Sequence, residues 1–227
     1  MIPIRIVACT RHNRKDFAGT PLGVTIQRFA HLSFIEAQLF TNNTAGLCQR
    51  YNEAIEAAKN DPALLVFVHD DVEIVDWYWY MRLGASLDDH HLVGLAGNCQ
   101  PSPGQTSWAI TDMEGTLSDR QAWAGCVARG NGEYLTSWDV FASPNREVSL
   151  IDGLFMAAYS KTFHDNDIKF DEQFTFHHYD MDICRQFTEK GLSIYVSSIS
   201  AIHHSQGLMG PAWKESAQRY LDKWQSK

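Results

Sequence analysis

Residues 64–68 read "LLVFV", five apolar residues with no polar interruption, and they run straight into His69, Asp70 and Asp71. So short an apolar, β-branched run marks a buried strand. A core has no use for an imidazole and two adjacent carboxylates, so the end of this strand is expected to open on a water-filled cleft or a positive charge. The neighbouring segments extend the pattern. "IRIVAC" at 4–9 is a first buried strand, "VTIQRF" at 24–29 a short helix and "FIEAQLF" at 34–40 a second strand. In "LCQRYNEAIEAAKN", Leu47, Tyr51, Ala54, Ile55 and Ala58 share a helical face, and Asp61-Pro62 stops that helix. Strand and helix in alternation imply parallel βαβ units, which place ligands at the carboxyl ends of their strands.

The second half is less regular. "LVGLAG" at 92–97 reads as one further strand. Residues 98–145 lose periodicity and carry Trp108, Trp123 and Trp138, reading as a long functional loop or as edge strands that the pattern does not phase. "VSLIDGLFMAAYS" returns to strand character, "YDMDICRQFTEKG" to helix and "LSIYV" to strand, while "AIHHSQG" reads as a polar turn. Near the end, Trp213, Ala217, Tyr220, Leu221 and Trp224 share one helical face, expected to pack on the chain's own core.

Composition narrows the function classes. A net charge of -8 argues against a general nucleic-acid binder. The first 60 residues carry seven Lys/Arg against four Asp/Glu, a balance that would suit an anionic ligand such as a diphosphate. The acidic remainder would suit a divalent cation. Five scattered cysteines without a CxxC point to reduced thiols. No secretory signal or membrane-spanning run is visible, so a soluble, cytoplasmic protein is expected. The phosphate-loop, dinucleotide-fold and nucleophile-elbow glycine patterns and zinc-type histidine spacings do not occur.

Three groups of residues can carry chemistry. Asp70 and Asp71 offer hard oxygen ligands suited to Mg²⁺ or Mn²⁺, one facing a metal and the other a second part of the ligand. Asp180 and Asp182 stand at a helix start, where they serve as caps or, facing a cleft, as a general base. His203 and His204 follow a strand and offer neutral imidazole.

In order, "NNTAGLCQRYNEAIEAA", "LLVFVHDDVEI", "LIDGLFMAAYS", "FDEQFTFHHYDMDICRQFTEKGLSIYV" and "HHSQG" resemble the GT-A glycosyltransferases of family 2, especially short bacterial members with a His-Asp-Asp version of the DXD motif. The resemblance covers nearly all of the chain except residues 98–145. It implies an α/β, Rossmann-like GT-A domain over residues 1–227, with a mixed, mostly parallel sheet flanked by helices. About 1–97 would be the nucleotide-binding half and about 98–227 the acceptor-binding half. It implies a metal-dependent inverting transfer from a nucleotide-diphosphate sugar to a glycan or other hydroxyl acceptor, in a setting of bacterial polysaccharide synthesis, with a homo-oligomer as one expectation. Asp71 would bind the metal and Asp70 would lie near the ribose or donor sugar. Thr10 and Arg11 would border the nucleotide, and Asn43, Arg50 and Asn52 would stand near the base or phosphates. Asp152 and Gly153 would shape the sugar pocket. Asp180 would be the base and His203 would complete the metal site. Tyr179 stands where the family has Glu, which leaves Asp182 as a rival base, and the doublet leaves His204 as a rival ligand. A nucleotidyltransferase and a non-catalytic nucleotide-sugar-binding or glycan-binding protein are the alternatives.

Overall fold

The computed structural model describes residues 2–131, 135–205 and 209–225. In chain order the elements are β1 (Ile4–Cys9), α1 (Arg14–Phe17), α2 (Pro21–Arg28), β2 (Ile35–Phe40), α3 (Leu47–Ala57), β3 (Leu64–Val68), β4 (Val72–Ile74), α4 (Trp79–Asp89), β5 (Leu92–Gly94) and β6 (Ala96–Asn98). There follow β7 (Trp123–Gly130), β8 (Leu135–Ala142), β9 (Arg146–Val148), β10 (Leu150–Ile151), β11 (Phe155–Tyr159), α5 (Ser160–Asp165), α6 (Tyr179–Glu189), β12 (Ile194–Val196), β13 (Ala201–His203) and α7 (Pro211–Gln225).

The main sheet has the order β2-β1-β3-β11-β5-β12-β9. β1 pairs in parallel with β2 and β3, and β12 with β5, whereas β11 and β9 run antiparallel to their neighbours. Five strands therefore point one way and two the other. The sheet draws β9, β11 and β12 from beyond residue 98, so both halves of the chain build it.

The unbroken apolar run of β3 has a direct cause. Alternate residues of a strand face opposite sides, and both sides of this sheet are covered. Leu64, Val66 and Val68 enter a core with Leu22, Phe29, Trp79 and Leu83. Leu65 and Phe67 enter a second core with Tyr51, Phe163, Phe170 and Phe187. β11 splits the same way, with Phe155 and Ala157 on one side and Met156 and Ala158 on the other. Each of the buried Val, Leu, Phe and Met side chains contributes about 1.5–3 kcal/mol of burial free energy, which makes β3 and β11 the centre of the core.

A second sheet, β10-β6-β7-β13-β4 with β8 paired to β7, stands beyond the main one. Its existence corrects two expectations, the single strand at 92–97 and the turn at "AIHHSQG", and it supplies the edge strands of residues 98–145. Residues 92–97 are two strands, with β5 in the main sheet and β6 in the second, separated at Leu95. The crossing is tight: Gly125 on β7 has φ +107, and a Cβ there would lie 2.1 Å from the Leu95 carbonyl oxygen. Residues 98–145 hold the β7–β8 hairpin, an edge pairing without a clean hydrophobic period. "AIH" is β13, parallel to β7 and antiparallel to β4, rather than a turn.

The C-terminal helix packs as expected. Trp213, Ala217 and Tyr220 of α7 are buried, with the Trp213 and Tyr220 rings beside His178. All five cysteines are free thiols. Among the described residues, no helix is long and apolar enough to cross a membrane.

Candidate active site

β3 ends at Val68, and the chain turns through residues 69–71, closed by the Val72 N–H donating to the His69 carbonyl at 3.3 Å. Beyond the turn, β4 belongs to the second sheet. The His-Asp-Asp triplet thus occupies the point where the chain leaves one sheet for the other. Antiparallel pairing of β4 with β13 sets His203 opposite Val72, and the His204 N–H donates to the Asp71 carbonyl at 2.9 Å. This register carries the His203 side chain to Asp71: its Nε2 lies 3.4 Å from Asp71 Oδ1. His69 Nδ1 lies 4.0 Å from the same oxygen.

His69, Asp71 and His203 offer three donor atoms within 4.8 Å of one another. Asp71 Oδ1 is buried and, among the described residues, has the His203 ion-pair contact but no well-aligned hydrogen-bond donor. Burial pushes the Asp71 pKa upward, but the two histidines more than reverse this and hold it below the usual carboxylate range. Burial likewise lowers the His203 pKa, and Asp71 and Asp152 more than offset it, so the net shift is upward. His69 is shifted down, chiefly by burial.

His204 does not join the cluster. Its ring lies against Gly130, where a Cβ would meet Nδ1 at 2.3 Å, and its Nε2 is 4.0 Å from Glu73. Alternation along β13 separates it from His203. Gly207, the end of the "HxSxG" spacing, lies outside the described residues.

A second group is formed by Asp152, Gly153 and Asp180. Asp152 and Gly153 form the turn between β10 and β11, and the Leu154 N–H donates to Asp152 Oδ1 at 2.9 Å. Trp108 Nε1 donates to Asp152 Oδ2 at 2.7 Å. Asp180, in the first turn of α6, accepts from the Gly153 N–H at 3.0 Å and from its neighbour Met181 N–H at 2.9 Å. Those donors favour the carboxylate. The surrounding protein and then the Asp152 charge oppose it more strongly, pushing the Asp180 pKa up to about 7.

Asp182 points elsewhere. It is fully buried and accepts from Trp224 Nε1 at 2.8 Å and Gln186 Nε2 at 2.8 Å, with Lys223 Nζ at 2.6 Å. It ties α6 to α7 and has no face on the cleft, so the expectation of Asp182 as a rival base is corrected.

Thr10 directly follows β1, and its carbonyl accepts from the Asn43 N–H at 2.9 Å. Arg50 Nε donates to Asn43 Oδ1 at 3.1 Å, and its Nη1 is held by both oxygens of Glu53. Arg50 and Asp70 both act electrostatically on the Cys9 thiol, whose pKa is pushed up to about 12, mainly by burial. Thr10, Asn43, Arg50 and Asp70 therefore gather at the carboxyl end of β1, with Arg11 exposed just beyond. Asn52 does not join them. Its amide exchanges two hydrogen bonds with the Phe170 backbone, at 2.8 and 2.9 Å, and fastens α3 to that loop.

Four residues near the site were not assigned a role from sequence. His69 joins the possible metal triad, and its adjacency to the aspartates was the available signal. Tyr179 hydrogen bonds His69 Nε2 at 2.6 Å. Arg129 is paired in register with His203, and its charge reaches that imidazole. Phe176 is exposed, with its ring stacked on His69 at 6.0 Å. Of the tryptophans, Trp123 is buried with its N–H on Ser118, and Trp108 packs edge-on against it at 5.3 Å. The Trp138 side chain is outside the described set. A groove of about 610 Å³ lined by Ile2, Ala63, His91 and Ser160 contains none of the candidate site residues.

Residues 25–224 match the glycosyltransferase-like family, and the chain belongs to it. Solved structures of low identity share the fold. GalNAc-T7 with UDP, GalNAc and Mn²⁺ has a TM-score of 0.53 at 12% identity, over 99% of this chain and 48% of that one. A197 from STIV has 0.51 at 12%, over 87% and 82%. TarS 1–349 of S. aureus has 0.50 at 11%, over 88% and 60%. No curated protein matches the sequence. The fold is GT-A, and the chain is a glycosyltransferase.

Proposed function

We propose that this enzyme moves a sugar from a nucleotide-diphosphate donor to an acceptor hydroxyl with inversion, with a divalent cation at His69, Asp71 and His203 and with Asp180 as base. The observation that carries the reading is the juxtaposition around Asp152, whose charge acts both on His203 of the three-donor cluster and on Asp180, a carboxyl raised to about 7.

The donor set fits a cation. Among the described residues, Asp71 Oδ1 is buried without a well-aligned hydrogen-bond donor, and two imidazoles stand close to it. Two nitrogen donors beside one carboxylate suit Mn²⁺ better than Mg²⁺, which prefers oxygen throughout. When bound, such an ion supplies the positive charge that stabilises a departing diphosphate.

The chain's own residues do the rest. Thr10, Arg11, Asn43, Arg50 and Asp70 line the nucleotide side, in the half formed by about residues 1–97. Arg129 adds positive charge beside His203. Asp152, fixed by Trp108, faces the donor sugar, and Gly153 keeps that wall low. Asp180 takes the proton from the acceptor hydroxyl as the hydroxyl attacks the anomeric carbon. A pKa near 7 matches that task at neutral pH. A single displacement, with attack opposite the leaving group, inverts the centre.

The test is Asp180→Asn, with donor binding measured by titration calorimetry in Mn²⁺ and transfer by nucleotide release over a panel of glycan acceptors. Donor affinity is expected to stay within about threefold and transfer to fall on the order of 10²–10⁴-fold. Turnover within tenfold of the parent enzyme would remove Asp180 from the base role.

A further inference from the structure

We infer that Tyr179 is a positioning residue that selects the tautomer of His69 and so presents the His69 Nδ1 lone pair to Asp71 and His203. The inference deepens the proposed metal site and rests on it.

The argument is one of counting hydrogens. The Tyr179 hydroxyl lies 2.6 Å from His69 Nε2 and 2.9 Å from the Gly153 carbonyl oxygen. It owns one hydrogen. A carbonyl only accepts, so that hydrogen goes to Gly153. The contact with His69 then needs a hydrogen from the imidazole, which places it on Nε2. In the singly protonated ring this leaves Nδ1 as the acceptor, and Nδ1 is the nitrogen 4.0 Å from Asp71 Oδ1.

The opposite tautomer loses on both sides. Tyr179 would have to turn its hydrogen to Nε2, leaving the Gly153 carbonyl without that bond. The hydrogen on Nδ1 would face the Asp71 charge, but at 4.0 Å it would make no hydrogen bond to replace the one lost at Gly153. Partners of this kind on the far nitrogen commonly fix the tautomer and orientation of metal-bound histidines.

The arrangement also needs glycine at 153. A Cβ there would lie 2.3 Å from the Tyr179 oxygen and 2.6 Å from its Cζ. The same residue donates its N–H to Asp180 at 3.0 Å. One glycine thus serves the histidine through its carbonyl and the base through its N–H.

The first measurement is made on metal-free parent protein. Long-range ¹H–¹⁵N correlation of the imidazoles, with the His69 signal assigned by its loss in His69→Gln, is expected to show hydrogen on Nε2. Hydrogen on Nδ1 overturns the inference, and this result needs neither a cation nor Tyr179→Phe. The second measurement is Tyr179→Phe, expected to mix the tautomers and weaken Mn²⁺ binding by about 10–100-fold in calorimetry. Retention of both the Nε2–H signal and parent Mn²⁺ affinity overturns it as well. Asp71→Asn separates the two readings. If it leaves Mn²⁺ affinity unchanged, the metal assignment fails, whereas the tautomer result on metal-free protein stands or falls by itself.

Discussion

Asp180 is held by two backbone N–H groups at the start of a helix, an arrangement that ordinarily lowers a carboxyl pKa. Here burial and Asp152 override it, and the value rises from 3.8 to about 7. The consequence for stability has a definite sign. Between the unfolded value and about 7, the native state holds a proton that the unfolded chain has released. Stability from this group is therefore greatest at low pH and declines as pH rises toward 7. Three units correspond to about 4 kcal/mol before discounting. Water in the cleft and the single amide oxygen left by Asn reduce the gain from Asp180→Asn to about 1–2 kcal/mol. Urea unfolding in EDTA should show the variant more stable than the parent at pH 8, with the gap closing by pH 5. A gap independent of pH would mean that Asp180 is already ionised well below neutrality. The sequence offered this carboxylate as a cap or a base. The raised pKa depends on Asp152, a residue 28 positions earlier, and no local pattern displays that proximity.

Asp182 shows how an element decides between neighbours. Residues two apart on a helix lie about 200° around its axis, so only one of Asp180 and Asp182 can face the cleft. The sequence left both in play because either could cap α6. What settles the matter is α7, which brings Lys223 and Trp224 onto Asp182. Asp182→Ala leaves Lys223 paired with Asp171 alone, removes the acceptor of the Trp224 and Gln186 N–H groups and opens a buried void, and is expected to cost about 1–3 kcal/mol. The denaturation midpoint should fall while donor affinity per folded molecule is retained at a temperature where the variant is folded. Loss of donor binding without loss of stability would return Asp182 to the cleft. The His203 and His204 pair follows the same logic with a strand's period of two. Reading "AIHH" as a turn concealed the alternation that separates them.

At the scale of the molecule, β1 and β3 were legible as unbroken apolar runs, and α3 and α6 through their helical patterns and stop signals. β4, β6 and β13 were not, because a three-residue strand has no period to read and exists only through its partners. Those strands make the second sheet, and the candidate site lies at its seam with the first. Asp71 follows β3 and precedes β4, His203 ends β13, and Asp180 opens α6 against the β10–β11 turn. A ligand gripping these groups couples both sheets to one helix, so its binding energy should appear as stability of the whole fold. At a hundred times its dissociation constant, such a ligand adds about 2.7 kcal/mol, or roughly 5–10 °C for a domain of this size. In a thermal-shift series of nucleoside diphosphates with and without Mn²⁺, one diphosphate is expected to give that shift only with the metal. His203→Ala should abolish the metal-dependent part and His204→Ala should retain it, since only the first imidazole reaches Asp71. Equal loss in both variants would place the cation outside the His69–Asp71–His203 cluster.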